Sequence, residues 1–279
     1  TLEVIQYRSG ARTDIKSITD LVRSHGGLVV WDASHAVGAI EMNFDANGVD
    51  LAVGCTYKYG NSGPGAPAWL YVSHRIQKEL QVPIQGWFSQ GDQFGMGPVF
   101  EKADGIRGFQ IASPSLIGLR CIKTSFEIIK EAGIDAIAHK AAVGTQMMID
   151  LYDAWLAPLG IELNTSRDPK ERGGHISLVH PDAARICVAL REFANVIPDY
   201  RTPNSIRLAI SPLPTMASRN GLVMKQPTPS PQDRYLLSET RLPCWFVQKS
   251  MHRWRHRERP MHPETYMKVR NLNQAHLAQ

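Results

Sequence analysis

The chain contains 279 residues, 43% of them hydrophobic, and its formal net charge is +5. This length and apolar content predict a globular protein with one large domain or two. No apolar run approaches the roughly 20 residues that a membrane-spanning helix needs and no secretory signal is recognisable, so we expect a cytoplasmic protein without a membrane role.

The first predicted element is a short amphipathic helix between Asp14 and Ser24, where apolar residues recur at helical spacing and Asp14 is a suitable N-cap. Three short apolar runs follow, at residues 28–31, 49–55 and 68–72. Because these runs are continuous rather than alternating, they predict strands buried on both faces, as in the mainly parallel sheet of an α/β protein. Ligands of such sheets gather where the strands end.

A second unit is predicted from residue 118 onward. Apolar spacing predicts its elements in this order: two helices within 118–157, a strand at 175–179, a helix at 181–194 and a strand at 205–210. We therefore expect residues 1–117 to belong to a large domain and residues 118–212 to form a smaller α/β domain.

The remaining segment, residues 213–279, differs in composition. From Met216 onward there are 11 Lys or Arg against 4 Asp or Glu, a charge of +7, which leaves 20 against 22, or −2, for residues 1–215. The stretch 251–260 (MHRWRHRERP) has no apolar periodicity. We interpret the segment as a basic, disordered tail or a reading-frame error, with a nucleic-acid or membrane-surface patch as the alternative. The near-neutral body predicts no nucleic-acid partner.

The four cysteines, Cys55, Cys121, Cys187 and Cys244, are far apart and form no CxxC or Cys/His pair with metal-ligand spacing. We therefore expect reduced thiols and no metal site.

Polar residues follow the predicted strands where ligands are expected. Asp32 and His35 come after the first strand, and Lys58 comes after the next, before the glycine-rich turn 60–65. Singly, these residues are more often a helix cap, a partly buried histidine and a solvated charge. Together they suit pyridoxal phosphate, which needs a lysine for its Schiff base, a carboxylate beside the pyridine nitrogen and close backbone approach.

The ordered motifs of the chain resemble kynureninase, a pyridoxal-phosphate enzyme of fold type I, the aspartate aminotransferase-like fold. The resemblance covers about residues 4–215. Its motifs are WDASHAVGAI at 31–40, GVDLAVGCTYKYGNSGPGAPA at 48–68, QGWF at 85–88, GIRGF at 105–109 with Ser113-Pro114, RGGH at 172–175 and PNSIR at 203–207.

The resemblance implies a role for each matched position. Lys58 would be the cofactor lysine and, with Tyr57, catalytic. The cofactor would also be held by Asp32 at the pyridine nitrogen, His35 near the ring, and Tyr57 and Trp87 at the phosphate. Ser113 would contact it from across the interface of a homodimer. Arg207 would hold the α-carboxylate of the substrate, for which a guanidinium is suited.

The implied reaction is hydrolysis of L-kynurenine to anthranilate and L-alanine, or of 3-hydroxykynurenine to 3-hydroxyanthranilate and L-alanine, in tryptophan catabolism and NAD biosynthesis. Relatives have an upstream portion with a phosphate-binding loop and an aromatic residue that stacks on the cofactor. Since the chain starts at Thr1 without these features, we expect it to be an N-terminally truncated kynureninase that binds the cofactor poorly on its own.

Two other interpretations stay open. The first is another fold-type-I enzyme, such as an aminotransferase or a cysteine desulfurase, although no cysteine has an evident activating neighbourhood. The second is a catalytically inactive fragment that acts as an interaction protein through its basic tail.

Overall fold

The computed structural model describes residues 1–194 and 196–210, so the predicted tail lies outside the described residues. The chain divides into two compact units, and the first contains Thr1–Ala184 and the described residues from Pro198 onward. The second unit includes residues 185–194, which are helical. In the described part, no helix combines the length and the apolar content needed to cross a bilayer.

The first sheet has four strands in the order β1-β2-β3-β4. The strands are β1 (Leu2–Glu3), β2 (Val30–Asp32), β3 (Leu51–Gly54) and β4 (Trp69–Val72). The first three are parallel, and β4 runs antiparallel to β3. Helix α1 (Ile15–Ser24) joins β1 to β2, and the Asp14 carboxylate caps it by accepting a 3.0 Å hydrogen bond from the Ser17 backbone N–H. The predicted helix and its cap are confirmed.

The core of this unit forms around Trp31, which is fully buried and donates from Nε1 to Thr19 Oγ1 on α1 at 3.0 Å. Two details of the prediction are wrong. Leu28 is 51% exposed, and β2 begins at Val30 and extends to Asp32. Leu70 of β4 is 41% exposed, because an antiparallel edge strand is not covered on both faces as a central parallel strand is.

The second sheet is antiparallel, in the order β5-β6-β8-β7. Its strands are β5 (Glu162–Leu163), β6 (His175–Val179), β7 (Asp199–Arg201) and β8 (Ser205–Ala209). The α-helices that follow α1 in the described residues are α2 (Leu116–Ala132), α3 (Ile134–Leu151) and α4 (Ala183–Ala194). The predicted elements of this region are confirmed within a few residues, whereas β5 and β7 had no recognisable pattern. The boundary at residues 117 and 118 stays a prediction.

Helix α3 turns a partly polar face inward, which apolar spacing did not reveal. Val143 is 57% exposed and Met147 is 39% exposed, while Thr145 is buried. Thr145 Oγ1 accepts a 2.9 Å hydrogen bond from Nε of Arg172, whose guanidinium is itself buried. Arg172 also donates from Nη1 to the Ser166 carbonyl at 3.3 Å and from Nη2 to Gln146 Oε1 at 2.9 Å. These bonds fix the segment that leads into β6.

Candidate active site

The ends of β2 and β3 form one edge of the first sheet. Asp32 pairs in register with Val53, and the next backbone N–H, that of Ala33, donates to the Val53 carbonyl at 2.8 Å. One step further, Ser34 Oγ accepts a 3.2 Å hydrogen bond from the Cys55 backbone N–H. The predicted adjacency of the two strands is confirmed, and it brings Asp32 and the turn that carries Lys58 to the same edge.

The turn around Lys58 is held by its own backbone. The Asn61 N–H donates to the Lys58 carbonyl at 3.0 Å, and the Ser62 N–H donates to the Thr56 carbonyl at 3.1 Å. Buried Thr56 donates from Oγ1 to the Pro67 carbonyl at 2.8 Å. Lys58 is half-buried, and no carboxylate of the described residues forms an ion pair with it. The backbone of the turn is therefore fixed, and the Lys58 amine is not neutralised by a described acid.

Gly38 allows the chain after β2 to approach this turn. A Cβ at Gly38 would lie 2.5 Å from the Tyr59 carbonyl oxygen, and the residue has φ +74. Gly26 has the same φ, but no atom of the described residues lies within 4 Å of the position that a Cβ would take there. A side chain at Gly38 would therefore cause both backbone strain and a steric clash, whereas a side chain at Gly26 would cause strain alone.

We expect Gly38→Ala to lower the free energy of unfolding by roughly 2–4 kcal/mol, because it adds a clash to the strain of a positive φ. The matched control Gly26→Ala carries the strain alone and should cost about 1 kcal/mol. Urea denaturation of both variants measures the difference. Equal losses would contradict the close approach at Tyr59.

His35 lies in the middle of the polar group. Burial, together with the positive charges of Lys58 and Arg207 and the neighbouring His175, lowers its pKa to about 3 against the opposing effect of Asp32. Burial likewise lowers the pKa of His175 to about 4. The two ring centroids are 5.6 Å apart. Both imidazoles are therefore neutral at pH 7, and they lie near residues from both sheets.

These depressed values predict a dependence of stability on pH. In the unfolded chain the pKa of both histidines returns to about 6.5, so below that pH the unfolded state binds protons that the folded state excludes. The free energy of unfolding should fall as the pH drops from 6.5 toward 4, by roughly 1 kcal/mol per pH unit for each imidazole. Denaturation at pH 7, 6 and 5 measures this slope, and His35→Gln with His175→Gln should flatten it. An unchanged slope in the double variant would contradict the assignment.

Arg207, on β8, is fixed by acceptors on two sides. Its Nε donates to Asp199 Oδ2 at 2.9 Å, Nη2 donates to the same oxygen, and Nη1 donates to the Tyr7 carbonyl at 2.6 Å. Asp199 Oδ2 also forms an ion pair with Arg201 Nη2 at 3.0 Å. The Arg207 side chain is only 12% exposed. One N–H on each terminal nitrogen remains for a ligand.

The other predicted site residues lie further out. Tyr57 is 52% exposed, and nearby Cys55 raises its pKa, with burial adding to the effect. Trp87 is 47% exposed and donates from Nε1 to the Gln93 carbonyl at 2.6 Å. Ser113 is exposed. Among the described residues, neither Trp87 nor Ser113 forms a hydrogen bond, ion pair or ring contact with Lys58, so their roles at the cofactor stay predictions.

The structure also brings in residues to which sequence reasoning assigned no role. His175 belongs to the RGGH motif but carried no chemical assignment. No sequence pattern pointed to Asp199 or to the Tyr7 carbonyl. They lie 8 and 200 positions from Arg207 along the chain, so they become its partners only when the chain folds.

Comparison with known sequences identifies similar proteins. Residues 137–218 match the family described as Kynureninase C-terminal domain. The chain is 42% identical over 210 residues to the kynureninase of Geobacillus thermodenitrificans, covering 75% of this chain and 49% of that protein. By sequence, the chain is similar to the kynureninases. The kynureninase of Deinococcus radiodurans is 32% identical over 212 residues, covering 76% of this chain and 52% of its own length. The chain thus spans about half the length of the curated kynureninases that it matches.

Solved structures show the fold. The apo cysteine desulfurase of Thermococcus onnurineus matches with a TM-score of 0.62 at 15% identity, over 75% of this chain and 55% of that one. The alanine–glyoxylate aminotransferase of Nostoc sp. matches with a TM-score of 0.55 at 18% identity, over the same shares. A C-DES variant with glycine covalently linked to its PLP cofactor gives a TM-score of 0.63 at 16% identity, over 75% of this chain and 56% of that one. The predicted fold class, that of fold-type-I enzymes, is confirmed.

Proposed function

We propose that this chain carries the cofactor lysine and the carboxylate-binding arginine of a kynureninase active site. In this proposal it binds pyridoxal phosphate and hydrolyses L-kynurenine or 3-hydroxykynurenine, releasing L-alanine and anthranilate or its 3-hydroxy form. The observation that carries the proposal is that Asp32 and the Lys58 turn share one edge of the first sheet, while the ring of His35 lies 5.6 Å from that of His175 on the second sheet, which also carries Arg207. The charges of Lys58, Arg207 and Asp32 all act on His35.

The side chains present suit the ring side of pyridoxal phosphate. Asp32 accepts one hydrogen bond, from the Ser34 N–H to Oδ1 at 2.8 Å, and its Oδ2 accepts none from the described residues. A carboxylate with an open oxygen can hold a proton on a pyridine nitrogen. Lys58 offers an amine without a described acidic partner, and the neutral His35 can donate or accept a hydrogen bond at the ring.

The chemistry divides between the cofactor and the chain. Pyridoxal phosphate supplies an electron sink for charge that develops at the substrate α-carbon. Lys58 would take the α-proton, since its turn lies at the same sheet edge as Asp32. Arg207 binds the α-carboxylate through its remaining N–H groups and so orients the scissile bond. One water is consumed, and its addition at the γ-carbonyl breaks the Cβ–Cγ bond.

The proposal includes a cytoplasmic homodimer. Ser113 is the position that the kynureninase resemblance puts at a subunit interface, and Leu116 and Ile117, three and four residues after it, are 80% and 82% exposed; Phe94 and Met96 are 75% and 76% exposed. Exposed apolar side chains of this density favour contact with another surface. Cys55 and Cys121 are free thiols, which suits a reducing compartment; Cys244 lies outside the described residues.

An assay of the purified chain with added pyridoxal phosphate tests the proposal. We expect release of fluorescent anthranilate from L-kynurenine, and a loss of about 10²–10³-fold in the Asp32→Asn variant, which keeps the shape of the side chain and removes its charge. The cofactor absorption band should persist in that variant. Sulfide release from cysteine without kynurenine cleavage would favour a desulfurase, and absence of both activities and of the band would contradict an active site.

A further inference from the structure

His175 carries a buried atom that lacks a partner in the described chain. The residue opens β6 and is 3% exposed. Its Nε2 is shielded from solvent, and no described residue forms a hydrogen bond with it. Buried polar atoms are nearly always paired, since leaving one unpaired costs about 1–3 kcal/mol. An atom of this kind beside an active site indicates a bound partner.

The other ring nitrogen determines what Nε2 can do. The His175 ring hydrogen-bonds to the backbone carbonyl of Tyr7, an oxygen that can only accept. Because Nε2 is unpaired, the donor is Nδ1, and the neutral ring therefore has its proton on Nδ1. Nε2 is left with a lone pair and can only accept a hydrogen bond.

The surroundings of Nε2 belong to the proposed site. The Tyr7 carbonyl accepts a hydrogen bond from His175 and another from Nη1 of Arg207, the second at 2.6 Å. The ring of His35 lies 5.6 Å from that of His175 between centroids. A Cβ at Gly10 would lie 3.3 Å from Nε2, and that residue has φ +75, so glycine keeps this space free of a side chain. The acceptor thus lies beside the arginine that would hold the substrate carboxylate.

We propose that His175 is a specificity-determining residue whose Nε2 accepts a hydrogen bond from the aromatic amine of kynurenine. This inference rests on the proposed function. Kynurenine has two amines, and the α-amine is committed to exchange with Lys58 at the cofactor, which leaves the aromatic amine as its free N–H donor. A lone pair held near the cationic Arg207 accepts from this neutral amine without adding another positive charge.

Two ligands and two variants test the assignment in the chain loaded with pyridoxal phosphate. L-Kynurenine is compared with 3-benzoyl-L-alanine, which has the same skeleton without the aromatic amine. His175→Leu removes the acceptor, and His175→Gln keeps one in its amide oxygen. Dissociation constants follow from calorimetric titration, and thermal unfolding confirms that each variant is folded.

We expect His175→Leu to weaken kynurenine binding by about 10–100-fold and benzoylalanine binding by less than about 3-fold, with most of the kynurenine affinity kept in His175→Gln. Equal losses for both ligands, or equal affinity of the wild-type chain for both, would overturn the assignment and leave the proposed function standing. Failure of the wild-type chain to bind kynurenine would remove both.

A ligand-free measurement examines the tautomer separately. ¹⁵N NMR of the imidazole nitrogens at pH 7, assigned by their loss in His175→Gln, should show Nδ1 protonated and Nε2 unprotonated. A proton on Nε2 would overturn the acceptor role whatever the reaction proves to be.

Discussion

Replacing Lys58 by alanine is expected to remove the visible absorption band that pyridoxal phosphate gives with the wild-type chain, and to lower kynurenine cleavage by about 10²–10⁴-fold or more. The variant loses the amine that would hold the cofactor and the group that would move the α-proton. Folding should change little, because Lys58 is half-buried and none of the ion pairs among the described residues involves it.

The matched control is Lys78→Ala, at an exposed lysine beyond β4. Free pyridoxal phosphate reacts with accessible amines, so the control separates specific binding from surface labelling. Absorption spectra and anthranilate release should be those of the wild-type chain. A band that survives Lys58→Ala and disappears in Lys78→Ala would contradict the assignment of Lys58.

Replacing Arg207 by glutamine should weaken kynurenine binding by about 30–1000-fold while leaving the cofactor band in place. The reason is the loss of charge-assisted hydrogen bonds to a carboxylate, each contributing roughly 1.5–3 kcal/mol in a partly buried site. The Arg207 side chain is 12% exposed, so water replaces little of that interaction. Substrate titrations followed by the change in the cofactor spectrum give the dissociation constants.

Arg201→Gln is the control for this substitution. Arg201 contacts the same Asp199 carboxylate at 3.0 Å, but 46% of its side chain is exposed. An exposed ion pair contributes only about 0–1 kcal/mol, so substrate affinity should change less than about 5-fold. Similar losses in the two variants would mean that Asp199, rather than Arg207, governs binding. Loss of the cofactor band in Arg207→Gln would place the arginine at the cofactor instead.

The sequence pattern predicted those parts of the fold that are determined by residues close together along the chain. The apolar spacing and the Asp14 cap indicated α1, and the continuous run before Asp32 indicated a buried strand with a functional residue at its end. Both follow from periodicity and capping, which short stretches of sequence determine. Strand β7 escaped prediction because its three residues pair only with β8, a contact made in three dimensions.

The candidate site shows the same division. Asp32, His35 and Lys58 were recognisable because they follow strands that lie side by side in the sheet. The partners that complete the site were not, since Asp199 and the Tyr7 carbonyl reach Arg207 from distant parts of the chain. His175 could be recognised as a motif residue. Residue spacing, however, cannot indicate that its Nε2 is buried without a partner among the described residues.

The most direct measurement of the central claim is to map the lysine that binds pyridoxal phosphate. The purified chain is mixed with enough cofactor to saturate weak binding, reduced with borohydride to make the lysine linkage permanent, digested and analysed by mass spectrometry. The arrangement of Asp32, His35 and Lys58 predicts that the modified lysine is Lys58. Modification spread over exposed lysines such as Lys78, with Lys58 unmodified, would contradict it.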